Sequence, residues 1–269
     1  MSDIDLNIAK NLRATLVAAT RDWFEKNGND CKAVIGISGG KDSTVTAAIC
    51  TEALGKDRVL GVLMPNGTQA DIEDSKRVCD ALGIRSICVN IEEAYNALLG
   101  YIESELKEIN FCNELTKQTK INAAPRIRMT TLYAVAQTVG GRVINTSNAS
   151  ECFVGWGTRW GDTVGDFALL ADLTTEEVVA VGLTYCDVIP VDLVLKAPGD
   201  GLTGKTDEDN LGVSYHDINL VINGHAEKVE PEIRKKIVER ARYNKFKLMP
   251  IARPGEFSKV AKALEVNGI

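Results

Sequence analysis

AVIGISGGKDSTVTAAIC, residues 33–50, joins a short apolar run rich in β-branched residues to a helix-forming segment through Ser-Gly-Gly-Lys-Asp-Ser. AVIGI over 33–37 predicts a buried strand, and the pattern over 43–54 predicts the helix that follows it. Small residues at the carboxyl end of such a strand suit an anion site. Gly39 and Gly40 let the backbone approach a ligand, and the next helix aims its first amides and its dipole at it. Ser38 and Ser43 add hydroxyl donors, while Lys41 adds a cation or is simply solvated. Asp42 repels phosphate, so its place in the loop points to Mg2+ bridging carboxylate and phosphate oxygens. The alternative is a plain glycine turn before a helix. The loop matches neither G-x-x-x-x-G-K-[ST] nor G-x-G-x-x-G, and so belongs to another class of nucleotide-phosphate loop.

Working outward, strands and helices alternate. Ile8, Leu12, Leu16, Ala19 and Trp23 predict an amphipathic helix over 5–26. RVLGVLM (58–64), IRSICVNI (84–91) and RVINTSN (142–148) read as strands. Helices are expected at 70–82 with Thr68 as cap, at 92–110, and at 122–140 with Pro125 in the first turn or at a kink. Thr174 and Glu177 form a capping-box signature for a helix over 174–184. A last strand falls near 168–173 or 188–191. The expected fold is therefore α/β: a Rossmann-like open parallel sheet of about five strands flanked by helices. No linker divides residues 1–269, which argues for one domain. The glycine- and charge-rich segment 195–213 is expected to be a mobile loop, and a locally basic helix over 229–243 closes the chain.

Composition narrows the function classes. The chain has 269 residues, 45% hydrophobic and 25% charged, as in an ordinary soluble protein. No 20-residue apolar run occurs, and MSDIDLNIAK has no basic segment followed by an apolar one, so neither a membrane span nor a signal peptide is expected. Seven scattered cysteines without a C-x-x-C pair argue against a disulfide framework or structural zinc, and for a reducing cytoplasm. Two histidines exclude a histidine-rich metal site. A net charge of −6 argues against an extended nucleic-acid footprint.

SGGKDS resembles the pyrophosphate loop of the N-type ATP pyrophosphatases, which split ATP between its α and β phosphates and adenylate a substrate. Four further stretches choose within that superfamily. NAAPRIRMTTLY (122–133), NTSNASE (145–151), GWGTRWGD (155–162) and KTDEDNLGVSYHDIN (205–219) are similar, in order, to segments of the NH3-dependent NAD+ synthetases. The resemblance implies an adenine nucleotide alpha hydrolase-like fold and a two-step ligation. The nicotinate carboxylate of deamido-NAD+ (nicotinic acid adenine dinucleotide) attacks the α-phosphorus of ATP and releases pyrophosphate. Ammonia then displaces AMP from the adenylate.

The same resemblance implies roles. Ser38, Gly39, Gly40, Lys41 and Ser43 would cradle the pyrophosphate, with Asp42 and Glu151 on Mg2+. Arg126 and Arg128, two apart on a helix and so on different faces, would between them supply one nucleotide contact. Met64 and Thr146 stand at strand ends where the adenosine would lie. Asp162 would take the extra proton of ammonium. Trp156 or Trp160 would stack on the nicotinate ring. Lys205, Thr206 and Asp207 belong to the segment that would close over the substrates, and Lys196 would offset phosphate charge. The family pattern departs at Pro125, where alanine is common, and at NKFKLMP (244–250), which stands for a His-Lys-Arg-like run and brings in Lys245 and Lys247. A homodimer is implied, ammonia is the expected nitrogen source because no glutaminase segment is visible, and a separate glutaminase partner stays open. The rivals are another adenylating enzyme, such as a tRNA-modifying one, and a non-catalytic nucleotide-binding protein.

Overall fold

The computed structural model describes residues 4–69, 72–197, 199 and 206–249. Its elements are α1 (Leu6–Asn27), β1 (Lys32–Gly36), α2 (Lys41–Leu54), β2 (Val59–Leu63), α3 (Ile72–Leu82), β3 (Arg85–Cys88), α4 (Glu92–Glu108), α5 (Lys117–Val139) and β4 (Gly141–Asn145). Then follow α6 (Ala149–Val154), β5 (Phe167–Ala168), α7 (Thr175–Leu183), α8 (Val191–Val194), α9 (Asp207–Leu211), α10 (Tyr215–Ile222) and α11 (Pro231–Asn244).

The five strands form one parallel sheet in the order β3-β2-β1-β4-β5. β1 is its centre, with Ala33 opposite both Val59 and Arg142. Alternation along β1 covers both faces: Ala33, Ile35 and Ile37 join the core under α1, α2 and α7, while Val34 joins Val62, Ala136 and Val143 beneath α5. Chain order reverses between β1 and β4, so their carboxyl ends splay apart and open a crevice there. A third apolar cluster ties α6, α10 and α11 together around Val154, Ile218 and Ile237.

Several expectations are corrected. The buried stripe of α1 is Ala9, Val17, Thr20 and Phe24, about one position round from the expected face, and Ile8 is exposed. Its Leu12, Leu16 and Trp23 nevertheless pack partly buried against the core as expected, and Trp23 stacks on Phe167, with ring centroids 4.9 Å apart, covering the short edge strand β5. α5 starts upstream of the expected helix because Thr116 caps it, accepting from the Thr119 amide. Pro125 therefore lies inside α5, neither in its first turn nor at a break; burial against the 158–161 turn offsets the missing bond to the Ile121 carbonyl. Of the two places considered for the last strand, 188–191 instead forms the turn into α8, with the Val188 and Ile189 amides on the Tyr185 carbonyl. The segment 195–213 contains α9, and α10 follows it without having been anticipated. Lys205 lies outside the described residues, as do residues 70 and 71 beside the Thr68 cap.

Candidate active site

The crevice is a cavity of about 1240 Å³. The SGGKDS loop enters it between β1 and α2. Ser38 and Ser43 hold the loop together: Ser43 Oγ accepts from the Ser38 amide at 3.2 Å and donates to the Gly40 carbonyl at 3.1 Å. Gly39 has φ +77°, and a Cβ there would meet the Asp74 Cβ at 2.8 Å and the Ser75 amide nitrogen at 2.9 Å. Only glycine lets the loop lie this close to α3. α2 then begins at Gly40 with no side-chain cap. Its first amides have no partner inside the helix and face the cavity with the positive end of the dipole.

Across the crevice, NTSNASE leaves β4 and turns into α6. Asn148 is buried and makes two connections. Its side chain caps α6 by accepting from the Glu151 amide at 3.0 Å, while Glu151 Oε2 accepts from the Asn148 amide at 3.2 Å. Its Nδ2 donates to Asp42 Oδ1 at 2.9 Å, so one residue fixes the two carboxylates that come from different strands. Burial pushes the Glu151 carboxyl well above the usual range, and the nearby Asp42 adds to this, while Lys41 pulls the other way. Lys41 is itself buried, not solvated, and its Nζ lies 2.8 Å from Asp42 Oδ2. Burial disfavours its charge, yet Asp42, Glu151 and Asp207 together hold the ammonium above its ordinary value.

Among the described residues no group of three or more His, Cys, Asp and Glu side chains gathers as a full metal shell. Two hard carboxylates beside a phosphate loop nevertheless fit Mg2+, which takes one or two protein carboxylates and completes its octahedron with phosphate oxygens and water. Burial with insufficient positive charge, visible in the raised Glu151 carboxyl, is the condition a divalent cation relieves.

Asp162 lies on the opposite wall. Its Oδ1 accepts from the Thr158 amide at 2.6 Å, and its carbonyl accepts from Asn145 Nδ2 at 2.9 Å. It is therefore both a turn-capping residue and a cavity carboxylate. Burial raises its pKa, while the Thr158 bond, Lys247 and Arg128 work against that rise. Lys247 donates to the Gly155 and Gly157 carbonyls at 2.8 and 2.9 Å and so pins the loop carrying Asp162. Burial and Arg240 lower the Lys247 pKa, partly offset by Asp162.

Met64, Thr146, Arg126, Arg128, Trp156 and Lys196 line the same cavity. Arg128 Nε donates to the Met64 carbonyl at 3.0 Å, and Arg126 Nε to the Arg159 carbonyl at 3.4 Å. Both arginines border the cavity because it is wider than one helix face. Lys196 Nζ pairs with Asp74 at 2.8 Å. Trp156 packs on the α10–α11 cluster under Arg240, whereas Trp160 is exposed at φ +62°. Asp207 is buried and accepts from the Tyr215 hydroxyl at 3.1 Å. Two expected ligand contacts have other partners: Gly39 faces α3, and the Thr206 hydroxyl caps α9, donating to Asp209 at 2.7 Å. Asn148, Asn145 and Tyr215 were missed. For Asn148 a signal existed, since Asn three residues before Glu is a capping-box pattern.

The sequence matches the NAD synthase family over residues 13–251. It is 41% identical over 183 residues to an NH3-dependent NAD+ synthetase of Pyrococcus furiosus, covering 68% of this chain and 67% of that one. Among solved structures, the NMN synthetase of Francisella tularensis superposes with a TM-score of 0.82 at 30% identity, covering 94% of this chain and all (100%) of the other. The NH3-dependent NAD synthetase of Campylobacter jejuni superposes with a TM-score of 0.72 at 25% identity, covering 93% and 100%.

Proposed function

Since the chain belongs to the NAD synthase family, we propose that it is an ATP-dependent C–N ligase converting deamido-NAD+ and ammonia to NAD+, AMP and pyrophosphate. What carries this reading is that an uncapped helix N-terminus and a carboxylate, Asp162, whose pKa is raised by desolvation face one cavity. The first suits a departing polyphosphate and the second suits proton transfer.

A carboxylate is a poor electrophile. In the first step the nicotinate oxygen bonds to the α-phosphorus, the bond to the β-phosphate oxygen breaks, and pyrophosphate leaves. The α2 amides, Ser38, Ser43 and Lys196 receive its charge, and Arg126 and Arg128 hold the nucleotide, with Met64 and Thr146 along the adenosine. Asp42 and Glu151 would hold Mg2+, which would supply positive charge against the charge developing on the phosphates. In the second step ammonia adds to the acyl carbon and AMP departs with the bonding electrons. Asp162 takes the proton that ammonium must shed, and a raised pKa suits it to that exchange. Trp156 offers a ring for the nicotinate, and Asp207 borders the substrates at the start of α9.

The chain works as a homodimer in this reading. All four residues of β3 are exposed, and Ile87, Leu98, Tyr101, Ile102 and Phe111 leave apolar surface for a second copy. Sedimentation equilibrium at twice the monomer mass is the expected result. Seven free cysteines suit a reducing cytoplasm, and no helix among the described residues is long and apolar enough to cross a membrane.

The decisive assay supplies ATP, Mg2+ and deamido-NAD+ with either ammonium or glutamine. Equal amounts of NAD+, AMP and pyrophosphate are expected with ammonium, and none with glutamine alone. Release of ADP and phosphate would refute the reading. A second acceptor has a specific observation behind it, the whole-length similarity to an NMN synthetase. The corresponding substrate is nicotinate mononucleotide, with the same carboxylate chemistry, and the ratio of kcat/KM for the two acceptors decides between them.

A further inference from the structure

Lys41 is the charged group the reaction scheme leaves without a task of its own. It sits in the phosphate loop, yet only 3% of its surface is exposed. Its Nζ donates to Asp42 Oδ2 at 2.8 Å and stands 5.8 Å from the centre of the Tyr215 ring. The Tyr215 hydroxyl is in turn tied to Asp207 at 3.1 Å. The lysine's charge acts on Asp42, Glu151 and Asp207 together. The other Asp42 oxygen is already held by Asn148. Lys41 therefore occupies the carboxylate oxygen that a metal ion would most need.

We propose that Lys41 is a resident counter-cation, which steadies the three carboxylates before the metal arrives and competes with it for Asp42. This rests on the metal role assigned above to Asp42 and Glu151. Two consequences follow from Coulomb's law. The lysine weakens metal binding, since a positive charge beside the ligands opposes a second one. It also ties metal loading to the start of α9, because the ammonium that a metal displaces lies over the Tyr215 ring, whose hydroxyl is bonded to Asp207.

The test is direct binding of Mn2+ to the full chain without nucleotide, with free Mn2+ counted by electron paramagnetic resonance. Lys41→Met and Lys41→Gln are expected to bind Mn2+ about tenfold or more tightly than the wild type, and Lys41→Arg within about twofold of it. Equal or weaker binding by both neutral variants overturns the proposal. Glu151→Gln separates this failure from failure of the metal reading: if it leaves Mn2+ binding unchanged, Glu151 is not a ligand and the premise falls. If the neutral variants do not fold without metal, circular dichroism replaces the titration. Recovery of helix signal on adding Mn2+ supports the resident-cation role, and no recovery at saturating Mn2+ overturns it.

Discussion

Replacing Asn148 tests whether one amide positions both Asp42 and Glu151, the carboxylates proposed above to hold Mg2+. Two contributions can be separated. The cap on α6 is worth about 1 kcal/mol, as for N-cap residues generally. The 2.9 Å bond from Nδ2 to Asp42 has a charged acceptor and is worth about 1.5–3 kcal/mol. Asn148→Ala loses both, about 2.5–4 kcal/mol, which for a chain of this size lowers Tm on the order of 5–15 °C. Asn148→Ser keeps an oxygen that caps the Glu151 amide but is too short to reach Asp42. It should recover about 1 kcal/mol of stability relative to alanine. Its Mg2+ requirement should nevertheless rise about 10- to 100-fold, as when a hydrogen bond orienting a metal ligand is removed. The assay is NAD+ formation titrated with Mg2+ at saturating ATP and ammonium, beside thermal melts of all three proteins. If Asn148→Ser keeps the wild-type Mg2+ requirement while its stability drops, Asn148 is only a structural cap and the reasoning fails.

Three further outcomes are expected. Asp162→Asn should lower the ammonium-dependent rate by about 10²- to 10⁴-fold, and the residual rate should climb roughly tenfold per pH unit as free ammonia replaces the missing base; a pH profile parallel to the wild type would count against the role. The same substitution should raise Tm at neutral pH, because a carboxyl whose folded pKa is raised contributes stability that is present below its ordinary value of 3.8 and lost as pH rises through the folded value. That difference should vanish in melts taken at acid pH, and a lower Tm at neutral pH would contradict it. Gly155→Ala should destabilise by more than about 2 kcal/mol, since φ is +63° and the new Cβ would clash with the Asn244 Cβ; urea unfolding measures it.

Much of the site could be read from residue order because its parts are local. SGGKDS names its own hydroxyls, carboxylate and glycines, and the parallel-sheet pattern sends it to a carboxyl end. Pro125 was misplaced because the signal that starts α5, Thr116, lies before the apolar pattern that suggested the helix, and because burial outweighs proline's propensity. The two-residue β5 was hard to locate because it pairs only through Ile144 and Asn145 and has no periodicity of its own. Lys196 reads as a plain cation in sequence, and the fold brings it against Asp74 on α3 as one half of an ion pair.

By itself the amino-acid order determined the alternation of buried strands and helices and the glycine-rich loop at a strand's carboxyl end, since these depend on short-range sterics and apolar periodicity. Tertiary structure alone decided how charges are shared. Asp42 and Glu151 meet through Asn148 across the β1–β4 crevice, Lys41 is drawn in among three carboxylates, and Lys247 returns from beyond α11 to hold the loop of Asp162. Such pairings join residues far apart in sequence, and their strength comes from burial, which exists only once the sheet and its helices have closed over them.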